Sequence, residues 1–210
     1  MPMSNGLFIT LEGIEGVGKS TQAVFIKEVL EKNGHHVVLT REPGGTRTGE
    51  AVRDILLHSS KQHISDLTEL LLIFSARAQH LDEVIIPAMQ SGKFVISDRF
   101  TDATYAYQGG GREMDVRQIR VLEALVQQGL KPNLTLLFDT PVEVGLKRAN
   151  NRSEADRFES ETISFFERVR AEYLQLAQEE PERIHVVDAD RPLDQIQQDI
   201  RTILASMQLC

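Results

Sequence analysis

The most constraining feature of the chain is the run Gly13-Ile14-Glu15-Gly16-Val17-Gly18-Lys19-Ser20, which meets the pattern G-x-x-x-x-G-K-[ST] at every fixed position. It follows a short apolar run, Leu7–Glu12, and opens a segment of helical period, Lys19 to about Lys32, with apolar Val24, Phe25, Val29 and Leu30 at helical spacing and Gly34 as its stop. Strand, glycine loop and helix in that order form a phosphate cradle. The glycines let several N–H groups aim at one anion, and the helix adds its positive end. Lys19 reaches toward β and γ phosphates, and the Ser20 hydroxyl toward Mg²⁺, with Thr21 next on the first turn. The whole stretch Gly13–Thr21 is therefore expected to hold ATP with Mg²⁺.

The rest of the chain repeats the strand-then-helix rhythm. Strands are expected at Val37–Thr40, Lys93–Asp98, Leu134–Asp139 and Arg183–Asp188. Helical patterns run from Leu67 to Ala88 and from Val116 to Gln128, and flank the last strand at about 159–179 and 193–207. Arg41–Thr46 and Gln108–Arg112 carry the Pro and Gly content of loops. Near-continuous apolar strands separated by helices predict an α/β fold with a parallel sheet covered on both faces. In such a fold, ligands bind at the carboxyl ends of the strands. Three expected strands end in an acid there: Glu12, Asp98 and Asp139.

Composition narrows the function. With 31 acidic and 23 basic residues, the net charge of −8 argues against gripping a nucleic-acid backbone. One cysteine, Cys210, rules out an internal disulfide or a cysteine-rich zinc site, in keeping with a cytoplasmic protein. The longest aliphatic stretch, Leu70–Phe74, is far too short to span a membrane, and no signal segment is expected. There is no [NT]-K-x-D guanine-reading motif and no paired-acid Walker-B strand; the third strand ends instead in Asp98-Arg99-Phe100. Asp98 is a candidate ligand for the metal. Arg41, Arg53, Arg77, Arg99 and Arg152 fall in loops and helices around the same edge, which suggests two anionic ligands side by side.

The segments GIEGVGKS, TREPGGT, FSAR at 74–77, DRF at 98–100, AYQGGGR at 106–112 and R-x-x-x-D-R-F-E at 152–159 occur in the order seen in bacterial thymidylate kinases. The resemblance spans about residues 7 to 200. It implies a three-layer α/β/α P-loop kinase fold with a five-stranded parallel sheet, one domain over residues 1–210, and a mobile lid at about 148–158. It also implies transfer of the γ-phosphoryl of ATP to dTMP, giving dTDP and ADP, by a homodimer. Another nucleoside monophosphate, or a deoxynucleoside, is the alternative acceptor, and a nucleotide switch that transfers nothing is the more distant rival.

Site roles follow from the resemblance. Glu15 stands where the family has a carboxylate near the dTMP 3′-hydroxyl. Arg41 and Arg99 match contacts to the dTMP phosphate and active site, and Arg53 flanks that pocket. Arg77 matches the arginine that reads the thymine carbonyl edge. Thr104 and Gln108 match polar positions around the base, and Tyr107 the aromatic that disfavours a 2′-hydroxyl. The family's stacking phenylalanine falls at Ile73 here, with Phe74 one residue on; either could face the base. With Gly16 in the P-loop, the catalytic arginine is assigned to the lid, Arg152 first and Arg148 second. Arg157 is assigned to anchoring the lid, and Asp190, Arg191 and Pro192 to the adenine side.

Overall fold

The computed structural model describes residues 6–58, 63–150, 157–158 and 161–209. Its frame is one parallel sheet of β1 (Phe8–Glu12), β2 (Val37–Arg41), β3 (Phe94–Asp98), β4 (Leu134–Asp139) and β5 (Ile184–Asp188), in the order β2-β3-β1-β4-β5. β1 lies in the middle, in register with Val95–Asp98 on one side and Leu134–Leu137 on the other. It is wholly buried, as a central strand between two helical layers must be.

Side chains alternate across the sheet, so the apolar set divides between two faces. Ile9, Leu11 and Ile96 share a core with α1 (Lys19–Lys32) and α9 (Leu193–Ser206). Phe8 and Val95 turn the other way, onto Leu81, Ile85, Ala88 and Phe100. That second layer begins with α2 (Arg47–His58) and α3 (Asp66–His80). The helix of α3 continues as a π-helical turn, Leu81–Ile85, and as α4 (Ile86–Gln90). α5 (Thr101–Thr104) likewise runs into a π-helical stretch, Tyr105–Gly111. α6 (Val116–Gln127) packs beside α3, while α7 (Val142–Asn150) and α8 (Ile163–Glu179) join α1 and α9 in the first core. Capping hydroxyls start two of these helices: Ser65 accepts from the Thr68 N–H, and Thr162 from the Phe165 N–H at 3.2 Å.

All five strands lie within one residue of the sequence expectation at each end. The expected loop at Gln108–Arg112 is corrected: Gln108 to Gly111 belong to the π-helical stretch. Its glycines serve close packing against α8. A Cβ on Gly110 would lie 2.8 Å from the Glu172 Cβ, and one on Gly111 2.5 Å from the Phe165 ring. α2 and α7 carry no strong apolar run and go unread in the sequence. Among the described residues, no helix is long and apolar enough to cross a membrane.

Candidate active site

The site grows from the turn between β1 and α1. Gly16 has φ +73, a conformation that L side chains resist, and a Cβ there would sit 1.9 Å from the Gly145 carbonyl oxygen on α7. The contact is reciprocal, since a Cβ on Gly145 would lie 2.7 Å from the Glu15 carbonyl. The cradle is thus packed backbone to backbone against α7. Ile14 and Val17 turn their side chains into the core, so only their main chain is available to an anion. Lys19 folds over the loop, its Nζ donating to the Gly13 and Ile14 carbonyls at 3.0 and 2.8 Å. Burial, and then Arg99 nearby, bring the Lys19 ammonium down to about 8.

The next strand end supplies the second half. Arg99 has φ +72, unusual for a residue with a side chain. The surrounding bonds hold it there. Its N–H donates to Leu11 O, Ser97 Oγ donates to its carbonyl, and the following N–H, of Phe100, donates to Glu12 Oε1 at 2.7 Å. This turn swings the guanidinium back over the cradle. It donates to Gly13 O and the Tyr173 hydroxyl, to Glu15 Oε1 at 2.7 Å and to the Tyr107 hydroxyl at 2.9 Å, and it lies 4.6 Å above the Tyr107 ring. Glu15 also accepts from the Tyr107 hydroxyl at 2.8 Å. Beneath them Glu12 is fully buried and accepts from the Tyr173 hydroxyl. Burial and Asp102 push its carboxyl up to about 7.

Arg77, only 1% exposed, reaches in from α3. Its Nε donates to Glu42 Oε2 at 2.7 Å, and its Nη2 to the Phe100 carbonyl and the Thr104 hydroxyl. Nη1 is buried without a hydrogen-bond partner. The guanidinium sits between the Phe74 and Phe100 rings. Glu42 is fixed in turn by His80 at 3.0 Å, whose other ring nitrogen meets the Thr40 hydroxyl. Gln108 donates from Nε2 to the buried Glu69 at 2.8 Å.

A cavity of about 330 Å³ joins these groups. Glu15, Gly16, Gly18, Lys19 and Ser20 of the glycine turn line it, with Arg41, Arg53, Asp98 and Arg99 from the strand ends and α2, and with Ile73, Arg77, Thr104, Tyr107 and Gln108. Arg41 is paired with Glu50, and Arg53 donates to the Pro43 carbonyl.

Several expectations are corrected here. Phe74 does not line the cavity, because it packs into a core with Leu70 and Ile119; Ile73 holds the wall instead. Gly13, Ile14 and Val17 lie behind the cavity wall, where the expectation concerns their main chain and not their side chains, and Thr21 is exposed on the first turn of α1. Of the three strand-end acids only Asp98 reaches the cavity. Glu12 turns under the sheet to Tyr173, and Asp139 forms a two-bond pair with Arg170. Arg148 donates to the Ala189 carbonyl and to Asp190, away from the cavity. Arg157 donates to the Leu56 carbonyl and to Glu69, tying the segment to α2 and α3. Arg152 lies outside the described residues, as does most of the expected lid.

The sequence reading missed Glu42, Glu69, Phe100 and Phe158. A signal was present for one of them. Glu69, Ile73, Arg77 and His80 fall on one face of α3, so charged groups interrupt a buried stripe.

Comparison with known proteins bears on the same residues. The family model described as Thymidylate kinase matches residues 11–200. The chain belongs to the thymidylate kinase family. A thymidylate kinase of Pseudomonas putida (strain GB-1) is 56% identical over 200 residues, covering 95% of each chain. One from Alcanivorax borkumensis is 50% identical over 204 residues, covering 97% of this chain and 98% of its own. Among solved structures, thymidylate kinase from Ehrlichia chaffeensis superposes with a TM-score of 0.77 at 33% identity, over 96% of this chain and 99% of that one. Membership in this family accounts for a glycine cradle and an arginine-rich wall in one cleft.

Proposed function

We propose specific residue roles for a kinase that transfers the γ-phosphoryl of ATP to dTMP, giving ADP and dTDP. The observation that carries the assignment is the shared cavity, which the P-loop lines together with Arg77, Thr104 and Gln108. ATP takes the cradle end through Gly16, Gly18, Lys19 and Ser20. dTMP takes the other end. Its phosphate lies toward Arg41, Arg53 and Arg99, its sugar toward Tyr107 and Glu15, and its base against Ile73, Arg77, Thr104 and Gln108.

The acceptor oxygen is anionic at neutral pH, so the reaction needs no strong general base; positioning and charge neutralisation carry it. Arg99, braced by Glu15 and Tyr107, holds the acceptor phosphate beside the transferring group. Lys19 and, from the lid at 148–158, Arg152 offset the charge on that group. Mg²⁺ suits the donor set. One buried Asp98 oxygen has no hydrogen-bond partner, Ser20 is exposed on the same cavity, and no group of three or more His, Cys, Asp or Glu residues among the described residues could hold a metal by itself. Few protein ligands are what this ion takes when phosphates and water supply the rest. Bound there, it would neutralise charge on the phosphates.

We further propose a single cytoplasmic domain that works as a homodimer. α3 packs beside α2 and α6, and together they leave Ile55, Leu67, Leu71, Val121 and Leu125 facing solvent. A second copy of the chain would cover that apolar face.

The test of the reaction is coupled ADP release with ATP, Mg²⁺ and a panel of dTMP, dUMP, dCMP, dAMP and thymidine. dTMP should give the highest kcat/KM. Turnover independent of the acceptor would refute the assignment.

A further inference from the structure

Glu69 lies outside the cavity, fully buried, one helical turn before Ile73 and two before Arg77. Its surroundings are all donors. Oε1 accepts from Gln108 Nε2 at 2.8 Å and from Arg112 Nε at 3.4 Å; Oε2 accepts from Arg112 Nη2 and from Arg157 Nη2. Arg112 is itself held by Glu161 and lies over the Phe165 ring, so the cluster has fixed sides.

A carboxylate only accepts, whereas an amide has one accepting and one donating half. The nitrogen half of Gln108 must therefore face Glu69. Its oxygen half is left toward the cavity that Gln108 lines, where it takes no hydrogen bond from any described residue. Arg77 lines the same cavity with a buried, unpartnered Nη1 donor. Gln108 thus brings an acceptor of fixed identity to a cavity that Arg77 also lines, and Arg77 holds one donor still without a partner.

We propose that Glu69 is a positioning residue that sets the base preference by locking the polarity of the Gln108 amide. A carbonyl beside a ring N–H, as on thymine, satisfies both groups. An amino group beside an unprotonated ring nitrogen, as on cytosine, opposes both and leaves two buried groups unpaired. Without Glu69, rotation about the last amide torsion is nearly free between two orientations. The inference rests on the base lying against Arg77 and Gln108, as assigned above.

The test compares dTMP with 5-methyl-dCMP, which keeps the methyl group and changes only the edge. In Glu69→Gln, the remaining oxygen is drawn by Arg157, and the new amide nitrogen faces Gln108 and inverts it. The kcat/KM ratio of dTMP to 5-methyl-dCMP should fall at least about tenfold, through the KM for dTMP, with kcat nearly unchanged. A purely structural role would lower stability and both substrates alike and leave the ratio intact; that result overturns the proposal. Gln108→Met should lower the ratio to a similar degree, and the double variant should lower it no further. If Gln108→Met shifts the ratio and Glu69→Gln does not, only the role of Glu69 falls. If Gln108→Met changes neither the ratio nor the KM for dTMP, the base lies elsewhere and the underlying assignment falls with it. Should Glu69→Gln fail to fold, the wild-type enzyme decides with the 3-deaza analogue of dTMP, whose ring N–H is replaced by C–H. An affinity loss of about tenfold or more supports the locked oxygen, and equal affinity overturns it.

Discussion

At the scale of single residues, Glu12 illustrates how a group outside the cavity shapes one within it. It fixes the Phe100 N–H and so the left-handed turn at Arg99. With its carboxyl raised to about 7, the folded protein holds the proton more tightly than the unfolded chain does. That contribution is complete below the ordinary value of 4.5 and is lost as pH rises through about 7. The stability of wild type relative to Glu12→Gln should therefore fall by on the order of 1–3 kcal/mol between pH 5 and 8. Urea unfolding across that range reads it; parallel pH curves for the two proteins would exclude it. A second expectation concerns Arg152→Ala. Its kcat should drop by about 10³-fold or more, with dTMP binding largely kept, as separate rapid-quench and calorimetric measurements would tell. Most residues that touch the cavity were legible, because they sit in or beside short motifs whose chemistry can be read locally: GKS, DRF, TREPGG. The roles of Glu69 and Glu42 were not: Glu42 sits within TREPGG and Glu69 on the charged stripe of α3, but local sequence does not name the partner each acid meets. Their partners, Gln108 and Arg77, lie 39 and 35 residues away in sequence.

At the scale of elements, the cradle meets α7 where Gly16 lies against Gly145 and Ala149, and where Gly145 lies against Glu15 and Ile14. Gly145→Val should force the loop and helix apart, because even a first carbon at that position meets the Glu15 carbonyl at 2.7 Å. Destabilisation of about 2–4 kcal/mol is expected, with the KM for ATP raised more than that for dTMP. Thermal unfolding and steady-state kinetics would reveal it, and equal changes in the two KM values would argue against it. The strands were readable because each is a short run rich in β-branched and apolar residues, and the inner strands β1, β3 and β4 are buried. The π-helical stretch at Tyr105–Gly111 was not. Three successive glycines signal a loop locally, while α8 packed on top of them decides otherwise. The same holds for Phe74: a position on Arg77's face of the helix could not reveal that the face splits, Ile73 toward the cavity and Phe74 toward Ile119.

At the scale of the whole molecule, the exposed apolar residues on α2, α3 and α6 give the dimer its test. A Leu71→Glu, Val121→Glu double variant should sediment as a monomer where the wild type sediments as a dimer. A wild-type monomer at micromolar concentration would dismiss the arrangement. The parallel sheet with helices on both faces followed from pattern, whereas strand order and association do not, since an apolar residue at helical spacing reads the same whether a neighbouring helix or another chain covers it.

The arginine wall stands inside a molecule whose total charge is −8. An approaching nucleotide is repelled by most of the surface and drawn in at one mouth, so the low-dielectric walls concentrate the attraction where it is useful. Capture should then slow as sodium chloride is added, even though protein and nucleotide carry charge of the same sign. A kcat/KM for dTMP that declines between about 20 and 300 mM salt, across Debye lengths from roughly 20 Å down to below 10 Å, would register that funnel.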